Sequence, residues 1–153
     1  MSLKPGDRLP AFGGPLPGGG EWRSEAQAGR PLAVFFYPRD FTGGCTREVC
    51  SFRDAYGQFR ALGADVVGVS RDSVERHAAF REAHRLPFPL LSDVDGRIGR
   101  AFGAAGLLPI HRRKTYVADA EGVVRGVFRH EFRIGRHVER ALQLLKTLSA
   151  KSK

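Results

Sequence analysis

Residues 31–50 read PLAVFFYPRDFTGGCTREVC and change periodicity halfway. The first part, PLAVFFY (31–37), is an unbroken apolar run rich in aromatic and β-branched residues, with the length of a strand buried on both faces. Pro38 ends it, because proline has no N–H to give a sheet ladder. Beyond it Val49, Phe52, Tyr56, Phe59 and Leu62 recur three or four apart. That spacing predicts an amphipathic helix over 42–62, with Thr42 as N-cap. Both cysteines of the chain fall in this one stretch, Cys45 in the first turn of the helix and Cys50 five residues on.

The alternation continues downstream. ADVVGVS (64–70) reads as a second buried strand, and DSVERHAAFREAH (72–84) as a helix capped by Asp72 or Ser73, with Glu75 near its third position. FPLLSD (88–93) is a short strand and GRIGRAFG (96–103) a short helix. KTYVADAEGVVRGVFRH (114–130) is a hairpin around DAEG, and IGRHVERALQLLKTLSA (134–150) a closing helix. The first thirty residues, rich in Gly and Pro, read as turns or a short hairpin. Strands separated by helices imply parallel pairing with a right-handed crossover, and the hairpin adds antiparallel strands. The expected fold class is therefore α/β: a thioredoxin-like sandwich with a central mixed sheet flanked by helices. Residues 1–150 are expected as a single domain and 151–153 as a disordered tail.

The totals exclude several classes. With 42% hydrophobic and 27% charged residues, the 153-residue chain has the composition of an ordinary soluble globule. No apolar run approaches the roughly 18–20 residues of a membrane span. The N-terminal MSLKPGDRLPAFGG lacks the apolar centre of a signal peptide, so a cytoplasmic location is expected. The net charge of +9 is spread along the chain, with HRRK (111–114) the one dense cluster. No zinc-finger or RNA-binding motif accompanies it, so nucleic acid is not expected as the main partner. No Cys/His set has metal-binding spacing.

Cys45 lies where a buried strand hands over to a helix, and there the free backbone N–H groups and the helix dipole favour an anion. A cysteine so placed is favoured as thiolate, the nucleophilic form. Gly43 and Gly44 leave room for a small ligand to approach the backbone. Cys50 poses a geometric problem. In a regular helix, Cα atoms five residues apart are separated by about 8.6 Å, whereas a disulfide needs less than about 7 Å. Either Cys50 is unrelated core sulfur, or the segment around 42–52 opens each time the bond forms.

The run YPRDFTGGCTREVC, followed by SFRDAY, resembles the active site of a peroxiredoxin, most closely the peroxiredoxin Q (bacterioferritin comigratory protein) group. GADVVGVSRDS, HAAF, PFPLLSD and KTYVADAEG extend the resemblance over about residues 3–148. It implies a thiol peroxidase without metal or organic cofactor, acting on hydrogen peroxide and small organic hydroperoxides. Cys45 would attack the peroxide and become a sulfenic acid. Cys50 would resolve it as an intramolecular disulfide, reduced in turn by thioredoxin. Thr42 would hydrogen-bond the peroxide, Pro38 would shield the pocket, and Arg113 would hold thiolate and developing oxyanion. Glu48 would orient an arginine. His111 and Tyr37 receive no role. With resolution inside one chain, a monomer is expected.

Two departures stand out. Thr42-Gly43-Gly44-Cys45 replaces the family's usual Thr-Pro-Gly-Cys, which loosens the loop, and GAAGLLPIHR (103–112) is a shorter segment than usual, which widens the pocket. Arg112 competes with Arg113, since a one-residue slip turns the side chain to the other face. Two other functions compete with the peroxidase. A thioredoxin-like disulfide oxidoreductase would hold the two sulfurs close without unwinding, and a redox-sensing binding module would oxidise too slowly for turnover.

Overall fold

The computed structural model describes residues 2–16, 19–106, 110–129 and 134–151. Two short strands, β1 (Gly13–Pro15) and β2 (Glu21–Arg23), form the N-terminal hairpin, followed by a 3-10 turn over Ser24–Gln27. The main elements are β3 (Leu32–Phe36), α1 (Gly43–Ala61), β4 (Asp65–Ser70), α2 (Val74–His84), β5 (Leu90–Ser92), α3 (Arg97–Phe102), β6 (Lys114–Ala118), β7 (Val124–Arg129) and α4 (Ile134–Lys151). The expected tail begins inside α4 at Lys151, and residues 152 and 153 lie outside the described residues.

One five-stranded mixed sheet organises these elements in the order β5-β4-β3-β6-β7. β3 pairs parallel with β4 and antiparallel with β6, and β4 pairs parallel with β5. This central position explains the unbroken apolar run, because both faces of β3 are covered. Phe35 and Tyr37 face a core shared with Val49, Phe52 and Phe59 of α1 and with Val138 and Leu142 of α4. Val34 and Phe36 face the other core, with Phe12, Trp22, Ile98 and Phe102. Phe35 stacks on Phe52 with ring centres 4.3 Å apart, so the strand and helix of the opening stretch are packed directly together.

Both helices are capped at residues the sequence offered, and two details of the capping differ. Thr42 does occupy the N-cap position of α1, at φ −89° and ψ 152°, but its side chain makes no cap bond. Its hydroxyl instead donates backward to the Arg39 carbonyl at 3.0 Å. At α2 the cap is Ser73, whose Oγ accepts from the Arg76 N–H at 3.1 Å. Glu75 therefore sits at the second helical position and Arg76 at the third, so no reciprocal glutamate bond forms. Among the described residues, no helix is long and apolar enough to cross a membrane.

Candidate active site

Cys45 is the third residue of α1 and is only 1% exposed, at the carboxyl end of β3. A guanidinium reaches it on the same face of the sheet, from just before β6, the antiparallel neighbour of β3. Arg113 Nη2 donates toward Cys45 Sγ at 3.5 Å, across 68 residues of sequence. Register decides this contact, since Arg113 is buried while Arg112 beside it is exposed. Gly44 lies directly beneath this guanidinium: a Cβ there would be in ordinary contact with it, 3.4 Å from Nη2. Arg113 Nη1 lies 4.0 Å from Glu48 Oε2, and His137 Nδ1 of α4 lies 3.9 Å from Glu48 Oε1. Glu48, expected as a residue that orients an arginine, is thus fully buried one turn beyond Cys45 and faces Arg113.

Cys50 is on the same uninterrupted helix, partly buried, and both thiols are free. Five residues turn a helix by about 140° beyond one full turn, so the two sulfurs leave α1 in different directions. Burial pushes the Cys50 thiol up from its ordinary range, which favours the protonated form in the closed helix. Thr42 is exposed at the mouth of the site. With its hydrogen given to the Arg39 carbonyl, its oxygen remains an acceptor. Pro38 is half-buried and lines a cavity of about 320 Å³ with Arg39, Arg71, Asp72, Arg76 and Ile110, among others. The shortened segment 103–112 is described except at 107–109.

Two buried carboxylate–histidine pairs back this site, and the sequence reading assigned neither. Asp40, just past Pro38, accepts from the Tyr37 hydroxyl at 2.6 Å and meets His77 Nδ1 at 2.6 Å. His77 Nε2 faces the Leu91 carbonyl at 3.0 Å, and a carbonyl only accepts, so Nε2 carries a hydrogen. Burial, together with the Asp40 charge, holds the Tyr37 phenol well above its ordinary range. Asp72 receives the Asp40 N–H at 2.8 Å and the Arg76 Nε at 2.9 Å. Ligand atoms of Asp40, Asp72 and His77 lie within 4.8 Å of one another, but all three side chains are already engaged in hydrogen bonds within the protein, so the cluster reads as a hydrogen-bonded brace for the loop 38–42.

The second pair is Asp93 with His111, whose Nε2 lies 2.8 Å from Asp93 Oδ2. Ile98 and Gly99 N–H groups also donate to Asp93, at 3.0 and 2.8 Å. Burial opposes ionisation of Asp93, but His111 and these two N–H groups outweigh it and hold the carboxyl below its ordinary range. The imidazole lies directly on the α3 backbone, where a Cβ at Gly99 would overlap it. This pair fixes the chain two residues before Arg113. One signal for His77 was available in the sequence. It sits three residues before Phe80, on the inward face of α2.

Residues 5–127 match the AhpC/TSA family. A chloroplastic peroxiredoxin Q of Sedum lineare is 44% identical over 124 residues, which cover 78% of this chain and 66% of the relative. The corresponding protein of Populus jackii is also 44% identical, over 78% of this chain and 57% of its own length. The chain thus spans less than two thirds of the length of these curated relatives. Among solved structures, peroxidoxin BcpB from Mycobacterium tuberculosis superposes with a TM-score of 0.89 at 36% identity, covering 95% of this chain and 98% of that one. Xanthomonas campestris peroxiredoxin Q gives 0.83 at 33% identity, with 90% and 91% covered. These likenesses agree with the mixed sheet on a thioredoxin-like fold of the peroxiredoxin type. A match over most of the sequence and nearly all of the fold means that the chain belongs to the AhpC/TSA family.

Proposed function

We propose that this protein is a thiol-dependent peroxidase that reduces hydrogen peroxide and organic hydroperoxides. The observation that carries the reading is the Arg113 guanidinium 3.5 Å from a buried Cys45 in the first turn of α1. A fixed cation beside the sulfur is placed to meet the charge that develops on the departing oxygen. The Cys45 thiolate attacks one peroxide oxygen. An S–O bond forms, the O–O bond breaks, and the leaving alkoxide or hydroxide takes a proton to become alcohol or water. Thr42, with its hydrogen committed to Arg39, would accept the hydroperoxide hydrogen and align the O–O bond. Pro38 would keep water from the thiolate.

The sulfenic acid is then resolved by Cys50. The thiol sulfur attacks Cys45 sulfur, an S–S bond forms, and the hydroxyl leaves as water with the thiol hydrogen. Because α1 runs unbroken through both cysteines, this step requires its first two turns to unwind. A dithiol protein such as thioredoxin then supplies two electrons and two protons. Resolution within one helix makes a monomer the natural working unit. The need for a reduced thiol pool makes the cytoplasm the proposed location. The continuous helix argues against the disulfide-oxidoreductase alternative, which needs the sulfurs close together at rest.

Peroxide consumption with thioredoxin, thioredoxin reductase and NADPH tests the cycle in the wild type, Cys45→Ser and Cys50→Ser. Intact masses are read after one equivalent of peroxide. Turnover lost in Cys45→Ser, and a sulfenic acid trapped in Cys50→Ser, are the expected results. A wild type that reduces protein disulfides without consuming peroxide would sink the proposal.

A further inference from the structure

The cavity beside Pro38 has a charge that hydrogen peroxide does not need. Its walls carry three guanidiniums, Arg39, Arg71 and Arg76, against the single carboxylate of Asp72. That carboxylate is already committed: Oδ1 to Arg76 Nε, and Oδ2 to the Asp40 N–H and the Ser70 hydroxyl. Arg71 gives Nε and Nη2 to the Val94 carbonyl, at 3.1 and 2.8 Å, which fixes its fork without neutralising it. Arg39 is exposed, and among the described residues its side chain meets no carboxylate. Two positive charges therefore remain uncompensated in a cavity of about 320 Å³.

Its position relates it to the thiol. Arg39 follows β3 and Arg71 follows β4, so the cavity opens outside the carboxyl ends of the parallel strands, where ligands of such sheets bind. Cys45 begins the helix that leaves the same end of β3. Pro38 is common to cavity and thiol loop, Thr42 is tied to the Arg39 carbonyl, and Ile110, which also lines the cavity, stands three residues before Arg113. Cys45 itself does not line the cavity, so a substrate with its O–O bond at the thiol would extend past Pro38 to place its remaining atoms there.

Resting on the peroxidase reading, we infer that the Arg39–Arg71 cavity is a specificity subsite for organic hydroperoxides that carry an anionic group, carboxylate or phosphate. Guanidiniums bind either anion through charge-assisted N–H donors, Arg71 through those that the Val94 carbonyl leaves free. Arg76, fixed to Asp72, shapes the wall, while Arg39 and Arg71 supply the free charge.

The test compares kcat/KM for cumene hydroperoxide, its para-carboxylate and its para-phosphate ester, at low salt. It uses the wild type, Arg39→Gln, Arg71→Gln and the double variant. Ratios taken within each variant cancel any general loss. We expect the wild type to favour the charged substrates on the order of tenfold, the preference shrinking as salt is added. In the double variant the ratio falls to about one, as the loss of both free charges requires. A larger ratio for the phosphate or for the carboxylate identifies the source of the anion. Equal wild-type rates for neutral and charged substrates, or a ratio that survives both substitutions, would overturn the subsite.

A second measurement stands apart from turnover. Titration with 4-isopropylbenzoate, followed by the arginine side-chain NMR signals, should shift Arg39 and Arg71 in the wild type and give no saturable binding in the double variant. Absence of wild-type binding also overturns the proposal. Failure of the peroxidase reading appears separately, as no turnover of any hydroperoxide alongside normal benzoate binding.

Discussion

At the scale of single residues, the site depends on Arg113 rather than Arg112. The two alternate across the entry to β6, one buried against Cys45 and one in solvent, so replacing them separates the site from general surface charge. Arg113→Gln should lower the second-order rate of Cys45 oxidation by about 10²–10³, the size of effect seen when a fixed donor to a developing oxyanion is removed. Arg112→Gln should stay within about twofold, as an exposed substitution does. Stopped-flow oxidation followed by Trp22 fluorescence reads both, and equal losses would contradict the assigned register. The Cys50 thiol gives a second prediction. Burial raises it, with Asp54 adding to the rise and Arg53 opposing it, so in Cys45→Ser the pH midpoint for alkylation of Cys50 should lie above that of a cysteine peptide. A midpoint at or below the peptide's would mean that the start of α1 is already open at rest.

At the scale of elements, the proposed resolution step depends on how readily the first two turns of α1 unwind. Gly43 is the first helical residue, and a Cβ there would meet nothing within 4 Å. Thr42 before it is already extended at φ −89° and ψ 152°, the conformation required ahead of a proline. Gly43→Pro should therefore fit the helix start without strain and stabilise it by about 0.4–1 kcal/mol through the unfolded chain. The helix then opens less often. Disulfide formation after one equivalent of peroxide should slow by about two- to fivefold, and more Cys45 should reach the sulfinic acid in excess peroxide. Time-resolved mass spectrometry of quenched samples measures both, and faster resolution in the proline variant would show that loop rigidity is not what limits opening. This opening stretch was legible in the sequence because β3 and α1 have clear and different periods, and because a motif places Cys45, Thr42 and Pro38. The brace behind it was not. Asp40 and His77 stand 37 residues apart and Asp93 and His111 stand 18 apart, and a buried polar pair has no period to reveal it. Thr42 is the N-cap residue as expected, but the partner of its hydroxyl was not legible, since a backward bond to Arg39 and a forward cap bond use the same residue at the same position.

At the scale of the molecule, the three tyrosines, Tyr37, Tyr56 and Tyr116, are expected to make stability depend on pH in the alkaline range. All three are raised from their ordinary phenol value. Burial is the leading cause in each, and Tyr116 is pushed up to about 12. Tyr116 fills the core beside Phe36 and Phe102 while its hydroxyl donates to the Phe102 carbonyl at 2.9 Å, so ionising it would place a charge against that carbonyl. A group with a raised folded value stabilises the native state fully below its unfolded value, about 10 for tyrosine, and loses that contribution as pH rises through the folded value. Stability should therefore be flat with respect to tyrosine up to about pH 10 and fall between about 10 and 12. At about pH 11, tyrosinate absorbance at 295 nm should be clearly smaller in the native protein than in urea at the same pH, where most of the phenols are ionised. Tyr116→Phe separates the two roles of the hydroxyl. It should cost about 1 kcal/mol at neutral pH through the lost hydrogen bond, yet make the alkaline decline shallower because one raised group is gone. Urea unfolding at pH 7, 10 and 11.5 provides the comparison. An equally steep decline in the variant would move the alkaline decline to Tyr37, whose bond to Asp40 would then join the brace of the thiol loop to the stability of the whole core.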